Sequence, residues 1–229
     1  MKFPNTFKGI KKIWIAEMLM LIAAVMSIVL LFIIANNSVV IEGTTVAENA
    51  VAVEDTLIVN TEAVKTPTAI FGIGAAVLIL IAFLLNLIGI INCRKDDSNF
   101  INALVATLLG VVCGIINAIW GESKPRLGSW MEFVMVMESC YASYYVLTGV
   151  SKLSEAYPDE ATKKLVDKSR NWLLGSFCLS AGLKLIVDIF NIQDGTPKTI
   201  MAIVAVLAEI IAYVIYLMAL NKSKKMLAK

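Results

Sequence analysis

The sequence predicts an all-α, polytopic membrane protein organised as a six-transmembrane-helix bundle, and three observations point there. Hydrophobic residues make up 59% of the 229-residue chain and charged residues only 17%, so a water-exposed surface would have to be largely apolar. Six apolar runs approach the roughly 20 residues that a helix needs to cross about 30 Å of hydrocarbon. None of them alternates apolar with polar residues as the strands of a transmembrane barrel do. The whole chain, 1–229, reads as a single membrane domain whose solvent is lipid.

The first span, 13–35, follows the basic opening "MKFPNTFKGIKK". It is longer than the apolar core of a signal peptide, lacks a small-residue cleavage pattern and precedes five more spans, so it is expected to stay in the mature protein. An acidic outer loop, 36–67, comes next, with Glu42, Glu48, Glu54, Asp55 and Glu62 against Lys65. Val46, Ala50, Val53 and Leu57 recur there at helical spacing and predict a short amphipathic helix on the outer surface. Val51, Val53, Leu57, Ile58 and Val59 keep a β-hairpin open as the alternative.

The second span, 68–92, follows Pro67, carries Gly72 and Gly74, and ends in the turn "CRKDDSN". The third, 100–120, sets Ala106, Gly110, Gly114 and Ala118 at four-residue intervals continuing from Asn102. Gly110 and Gly114 are expected to let another helix approach closely. The fourth span, 130–151, leads into an inner connection, 152–171, where Pro158 and Asp159 signal a helix start. Its Lys163, Lys164, Lys168 and Arg170 fit either a solvated juxtamembrane helix or a contact with anionic lipid. Spans five, 172–192, and six, 199–221, close the chain. The even-numbered spans end alike, in "LLNLIGIINCRKD", "YYVLTGVSKLSE" and "IYLMALNKSKK", a pattern that suggests three repeated helical hairpins.

If the spans alternate in direction, one side of the membrane holds fifteen of the twenty Lys and Arg residues, and the other holds Lys65, Lys124, Arg126 and Lys198. Basic residues favour the cytoplasmic face, so both termini are expected there, in a multi-pass protein of the bacterial cytoplasmic membrane. Trp14, Trp120, Trp130 and Trp172 lie at span ends, where an amphipathic ring prefers the interface. A net charge of +2 without a basic domain points to no nucleic-acid partner. Cys93, Cys113, Cys140 and Cys178 all sit in or beside spans, with no CxxC pair, so they read as packing residues rather than a disulfide or metal framework.

Charged residues inside the apolar runs are the main functional lead. Lys184 and Asp188 interrupt "GLKLIVDIF", and an ionised side chain at a helix centre costs about 2.5 to 3.5 kcal/mol. Ser176, Ser180, Lys184 and Asp188 form an i, i+4 ladder. At about 1.5 Å per residue, Glu138, Lys184 and Glu209 share one level, roughly 12 to 15 Å below the outer boundary. With Tyr141 and Tyr213 they outline a candidate polar site in the outer half of the last three spans. Two readings of it stand side by side, interhelical pairing and a small-solute or cation site. Glu17, Asn86 and Asn102 form a second polar level nearer the cytoplasm, within roughly 5 to 9 Å of the inner boundary.

Histidine is absent from the chain, which removes His-dependent triads, histidine proton relays and HExxH zinc sites. No GxSxG, Walker A or dinucleotide motif stands in a suitable context, and "KDD" has no second acidic motif with which to hold a metal pair. The expectation is no catalytic residue, no metal and no cofactor. The run "LLNLIGIINCRKDDSNFINALVATLLG" and the opening "FKGIKKIWIAEMLMLIAA" resemble uncharacterised multi-span integral membrane proteins of Firmicutes. That resemblance implies a membrane fold and no particular activity; the presence of only Arg94, Arg126 and Arg170 against many lysines suits an AT-rich bacterial genome. Two functions are carried forward. One is a non-catalytic interaction or regulatory subunit, partnered by the bilayer and by a membrane protein or a second copy of itself. The other is a protein that binds or transports a small solute or cation.

Overall fold

The computed structural model describes residues 2–36, 38–47, 50–59, 65–121, 123–189 and 196–229, and for 38–47, 50–59, 125, 126, 129, 132, 184–189, 196 and 198 it describes the backbone. The described chain is helical apart from one two-stranded hairpin. In order it forms α1 (Pro4–Asn36), β1 (Ser38–Ala47), β2 (Ala50–Val59), a π-helical turn (Thr68–Gly72) running into α2 (Ile73–Cys93), α3 (Asn99–Trp120), α4 (Pro125–Ser154), α5 (Glu160–Ile189) and α6 (Thr196–Leu227). These segments divide into two compact units, Met1–Trp14 with Leu85–Lys229, and Ile15–Leu84.

In the first unit α3 packs on α4, α5 on α6, and α4 on α5. Its buried core lies at one set of helix ends: Ile10, Ile13, Ile90, Phe100, Val146, Leu147, Val150, Val166, Leu220 and Met226. Farther along, Val105, Val112 and Ile119 of α3 and Ile203, Leu207 and Ile211 of α6 are exposed. Exposed apolar rows of this length are incompatible with water and suited to lipid.

The core end is closed by capping interactions in which the two aspartates of "KDD" divide the work. Asp96 Oδ2 accepts the Thr6 backbone N–H and hydroxyl, both at 2.7 Å, and Oδ1 accepts from Asn5 Nδ2 at 3.0 Å. It thereby satisfies a donor that the first turn of α1 leaves free, although it lies 90 residues away in sequence. Asp97 caps α3, its Oδ1 accepting the Asn99 backbone N–H at 2.8 Å, while Oδ2 pairs with Lys152 Nζ at 3.0 Å. Burial alone would raise the Asp97 pKa, but the bonds from Asn99 and Lys152 outweigh it and hold the carboxyl below the usual aspartate range. Asp159 caps α5 through the Thr162 N–H at 3.0 Å, and that bond is the first cause of its own lowered pKa. The helix start signalled by Pro158 and Asp159 is therefore present. α5 then runs unbroken from Glu160 to Ile189, so most of the inner connection is the lower part of the fifth helix.

In the second unit, a Cβ added to Gly74 would meet Met26 Cε at 2.7 Å, and Ala23 and Ala75 are buried. The segment expected to form an amphipathic helix is instead an antiparallel hairpin, in register from Ser38 opposite Val59 to Ala47 opposite Ala50. The correction has a physical cause. Val39, Val40, Ile41, Thr44, Thr45, Val46, Val51, Val53, Ile58 and Val59 are β-branched and lose side-chain freedom in a helix, which outweighs the four-residue spacing of a few apolar positions.

Among the described residues four helices are long and apolar enough to cross a membrane: Pro4–Asn36, Lys65–Cys93, Asn99–Trp120 and Thr199–Leu227. This departs from the six expected. α4 and α5 have the length, 30 residues each, but their apolar runs are broken by Glu132, Glu138 and three tyrosines in α4 and by Lys184 and Asp188 in α5.

Candidate intramembrane site

Glu138 lies near the middle of α4, and its side chain is 6% exposed. Its carboxyl turns toward α3, where Cys113 Sγ donates to Oε1 at 3.8 Å. Among the described residues Oε2 has no hydrogen-bond partner. It fits against α3 because residue 110 is glycine: a Cβ there would come within 2.6 Å of Oε2. Gly114 faces the same helix less tightly, since a Cβ would meet Met135 Sδ at an ordinary 3.6 Å. The small-residue row of α3 is thus the wall against which the glutamate sits.

Beside that wall is a cleft of about 320 Å³ lined by Asn102, Val105, Ala106 and Leu109 of α3 and by Met137, Glu138, Tyr141 and Tyr145 of α4. The Tyr141 and Tyr145 rings are 5.9 Å apart. The cleft runs from the middle of the α3–α4 pair toward the end that carries Asn99 and Ser154. It joins Asn102, from the polar level nearer the basic ends, with Glu138, from the level farther in.

Glu209 of α6 is exposed and faces α5, accepting a hydrogen bond from Ser180 Oγ at 2.7 Å. Glu138 and Glu209 thus turn to different neighbours, and no hydrogen bond joins them among the described residues. Tyr213 packs on the core next to Tyr216, ring centroids 6.4 Å apart. Lys184 and Asp188 lie on α5, and their side chains fall outside the described residues, so the expected pairing of Lys184 lies outside them too. A second groove, about 420 Å³, is formed by Asn171, Trp172, Gly175, Ser176 and Leu179 of α5 with Ala208 of α6.

No family model, curated protein or solved structure matches the chain. What the protein can do must therefore be read from these side chains. Among the described residues no group of three or more Cys, Asp or Glu could hold a metal ion, and the described cysteines are free thiols. The sequence pattern pointed to Glu138 and its tyrosines but not to Asn102, Gly110 or Cys113 as their neighbours. A signal for two of the three was present: Asn102, Ala106 and Gly110 at four-residue spacing form one face of α3.

Proposed function

We propose that the chain is a non-catalytic integral protein of the bacterial cytoplasmic membrane, an interaction or regulatory subunit of a larger membrane assembly. In this reading all six helices cross the bilayer as three hairpins, with both termini in the cytoplasm. The basic-residue asymmetry supports the orientation, and the absence of histidine together with the free, apolar-set cysteines supports a non-catalytic role.

The observation that carries the assembly role is the exposed Ser180–Glu209 pair. Glu209 lies roughly 15 Å along the helix from residue 199, between the exposed apolar residues Val206 and Ile210. Facing lipid, an ionised side chain costs about 2.5 to 3.5 kcal/mol, and one hydroxyl hydrogen bond returns only about 0.6 kcal/mol in a membrane interior. A helix of a partner protein carrying a hydrogen-bond donor at that level would offset the difference, and charge complementarity favours such a partner over a second carboxylate from another copy.

The test is cross-linking from Val206→Cys in native membranes. The expected product is one discrete adduct with another protein, lost when Glu209→Leu is added. An adduct at twice the monomer mass would replace the foreign partner with a second copy, and no adduct at all would overturn the assembly role.

A further inference from the structure

We propose that the cleft between α3 and α4 is a binding site for a primary ammonium group carried on an apolar body. The inference does not depend on the assembly role, which rests on α5 and α6.

The carboxyl defines the charge and the chemistry of the ligand. Glu138 is buried, and among the described residues its Oε2 has no donor and it forms no ion pair. A buried carboxylate is strongly disfavoured until a cation with hydrogen-bond donors reaches it. The groups packed against it do not meet that need: α3 contributes the weak Cys113 thiol donor to Oε1 and a glycine to Oε2, and α4 contributes Tyr141 and Tyr145 along the cleft. One carboxylate calls for one positive charge, and an acceptor without a donor calls for N–H groups, which a quaternary ammonium lacks.

The walls define the rest of the ligand. Leu109 and Met137 with their apolar neighbours form most of the lining, and two tyrosine rings stand beside the acid. Tyrosine faces attract a cation within about 6 Å, and apolar walls favour a hydrocarbon body. A volume of about 320 Å³ falls within the range of small-molecule sites. A bare inorganic cation fits poorly, because calcium takes six to eight oxygens and only Glu138, Asn102 and the two phenols supply side-chain oxygen to the lining. Asn102 closes the far end with an amide able to bind a polar substituent.

The experiment uses the full chain, purified in a detergent free of amine lipids, with phenethylammonium as probe and 2-phenylethanol as its neutral counterpart. Calorimetry is expected to show saturable binding of the amine, weaker by about tenfold or more for the alcohol and for the amine on Glu138→Gln. That is the loss of one charge-assisted hydrogen bond. Glu209→Gln, which alters the exposed carboxyl, should leave amine binding unchanged. Binding of the alcohol within threefold of the amine, undiminished binding by Glu138→Gln, or no binding would each overturn the proposal. Asn102→Ala provides a second variant in case Glu138→Gln fails to fold: it should weaken a ring-hydroxylated amine more than phenethylammonium, and equal effects on both would count against the placement. Nanodiscs separate two sources of the ammonium. Competition by phosphatidylethanolamine but not phosphatidylglycerol assigns the site to a lipid headgroup, and no competition assigns it to a free amine.

Discussion

Asp96 and Asp97 are adjacent, yet each serves a different helix, and their substitutions should separate. Asp96→Ala removes the acceptor for the Thr6 N–H and hydroxyl at the start of α1. It is expected to cost about 1 to 2 kcal/mol, the upper part of the range for a lost cap, measured as a lower melting temperature in detergent. Asp97 should instead reveal itself through pH. Its folded-state pKa is depressed, so its stabilisation is complete above the unfolded aspartate value of about 3.9 and fades as pH falls through the lower folded value. As pH falls below about 4 the wild type should therefore progressively lose its melting-temperature advantage over Asp97→Asn. Parallel melting curves would show that the Asn99 and Lys152 bonds add nothing. The ion pair itself is a minor contributor, because Lys152 is 60% exposed and solvent screens it.

Between helices, the closest approaches are made by glycines, and not all by those at the expected positions. At the core end, a Cβ on Gly9 of α1 would collide with Cys93 Sγ and the Gly89 carbonyl, and one on Gly89 of α2 would lie 2.6 Å from Ile13 Cγ1 and 2.8 Å from the Gly9 carbonyl. Two glycines facing each other let these backbones touch, as small residues do in membrane helix pairs. Gly89→Ala is expected to destabilise by about 1 to 3 kcal/mol through overpacking against backbone. Gly114→Ala should be nearly neutral, because its Cβ meets Met135 at normal contact distance. Thermal melts of the two variants check this contrast, and equal losses would contradict it. Gly110→Ala is distinct again: its Cβ presses on the end of a flexible glutamate, so it should impair amine binding more than it lowers stability.

The molecule as a whole exposes long apolar rows on α3 and α6 and concentrates its buried core and polar caps at one set of helix ends. That end also carries most of the basic residues, including Lys224, whose ammonium sits 3.6 Å from the Trp14 ring centroid. In the proposed topology a cation held over this tryptophan would anchor the final helix at the headgroup level. Reporter fusions at Lys229 and after Lys124 are expected to fall on opposite sides of the membrane, Lys229 in the cytoplasm. Both on one side would mean that one of α4, α5 and α6, or all three, does not cross as proposed.

The helical, apolar character of the main segments and the start of α5 at Asp159 were legible in the chain, because each depends on local composition and spacing. A run of apolar residues needs lipid whatever it packs against, and an aspartate three residues before a free amide caps it without help from elsewhere. The outer hairpin was legible only as an alternative, since β-branching and helical spacing compete within the same residues. Other features depended on which helices become neighbours. Equal depth placed Glu138 and Glu209 together, but depth does not fix rotation about a helix axis, and rotation turned one toward Gly110 and the other toward Ser180. In the same way "KDD" reads as a plain turn until folding brings Thr6 to Asp96 across 90 residues. Spacing along one helix defines its faces; only packing of the chain on itself decides what each face meets.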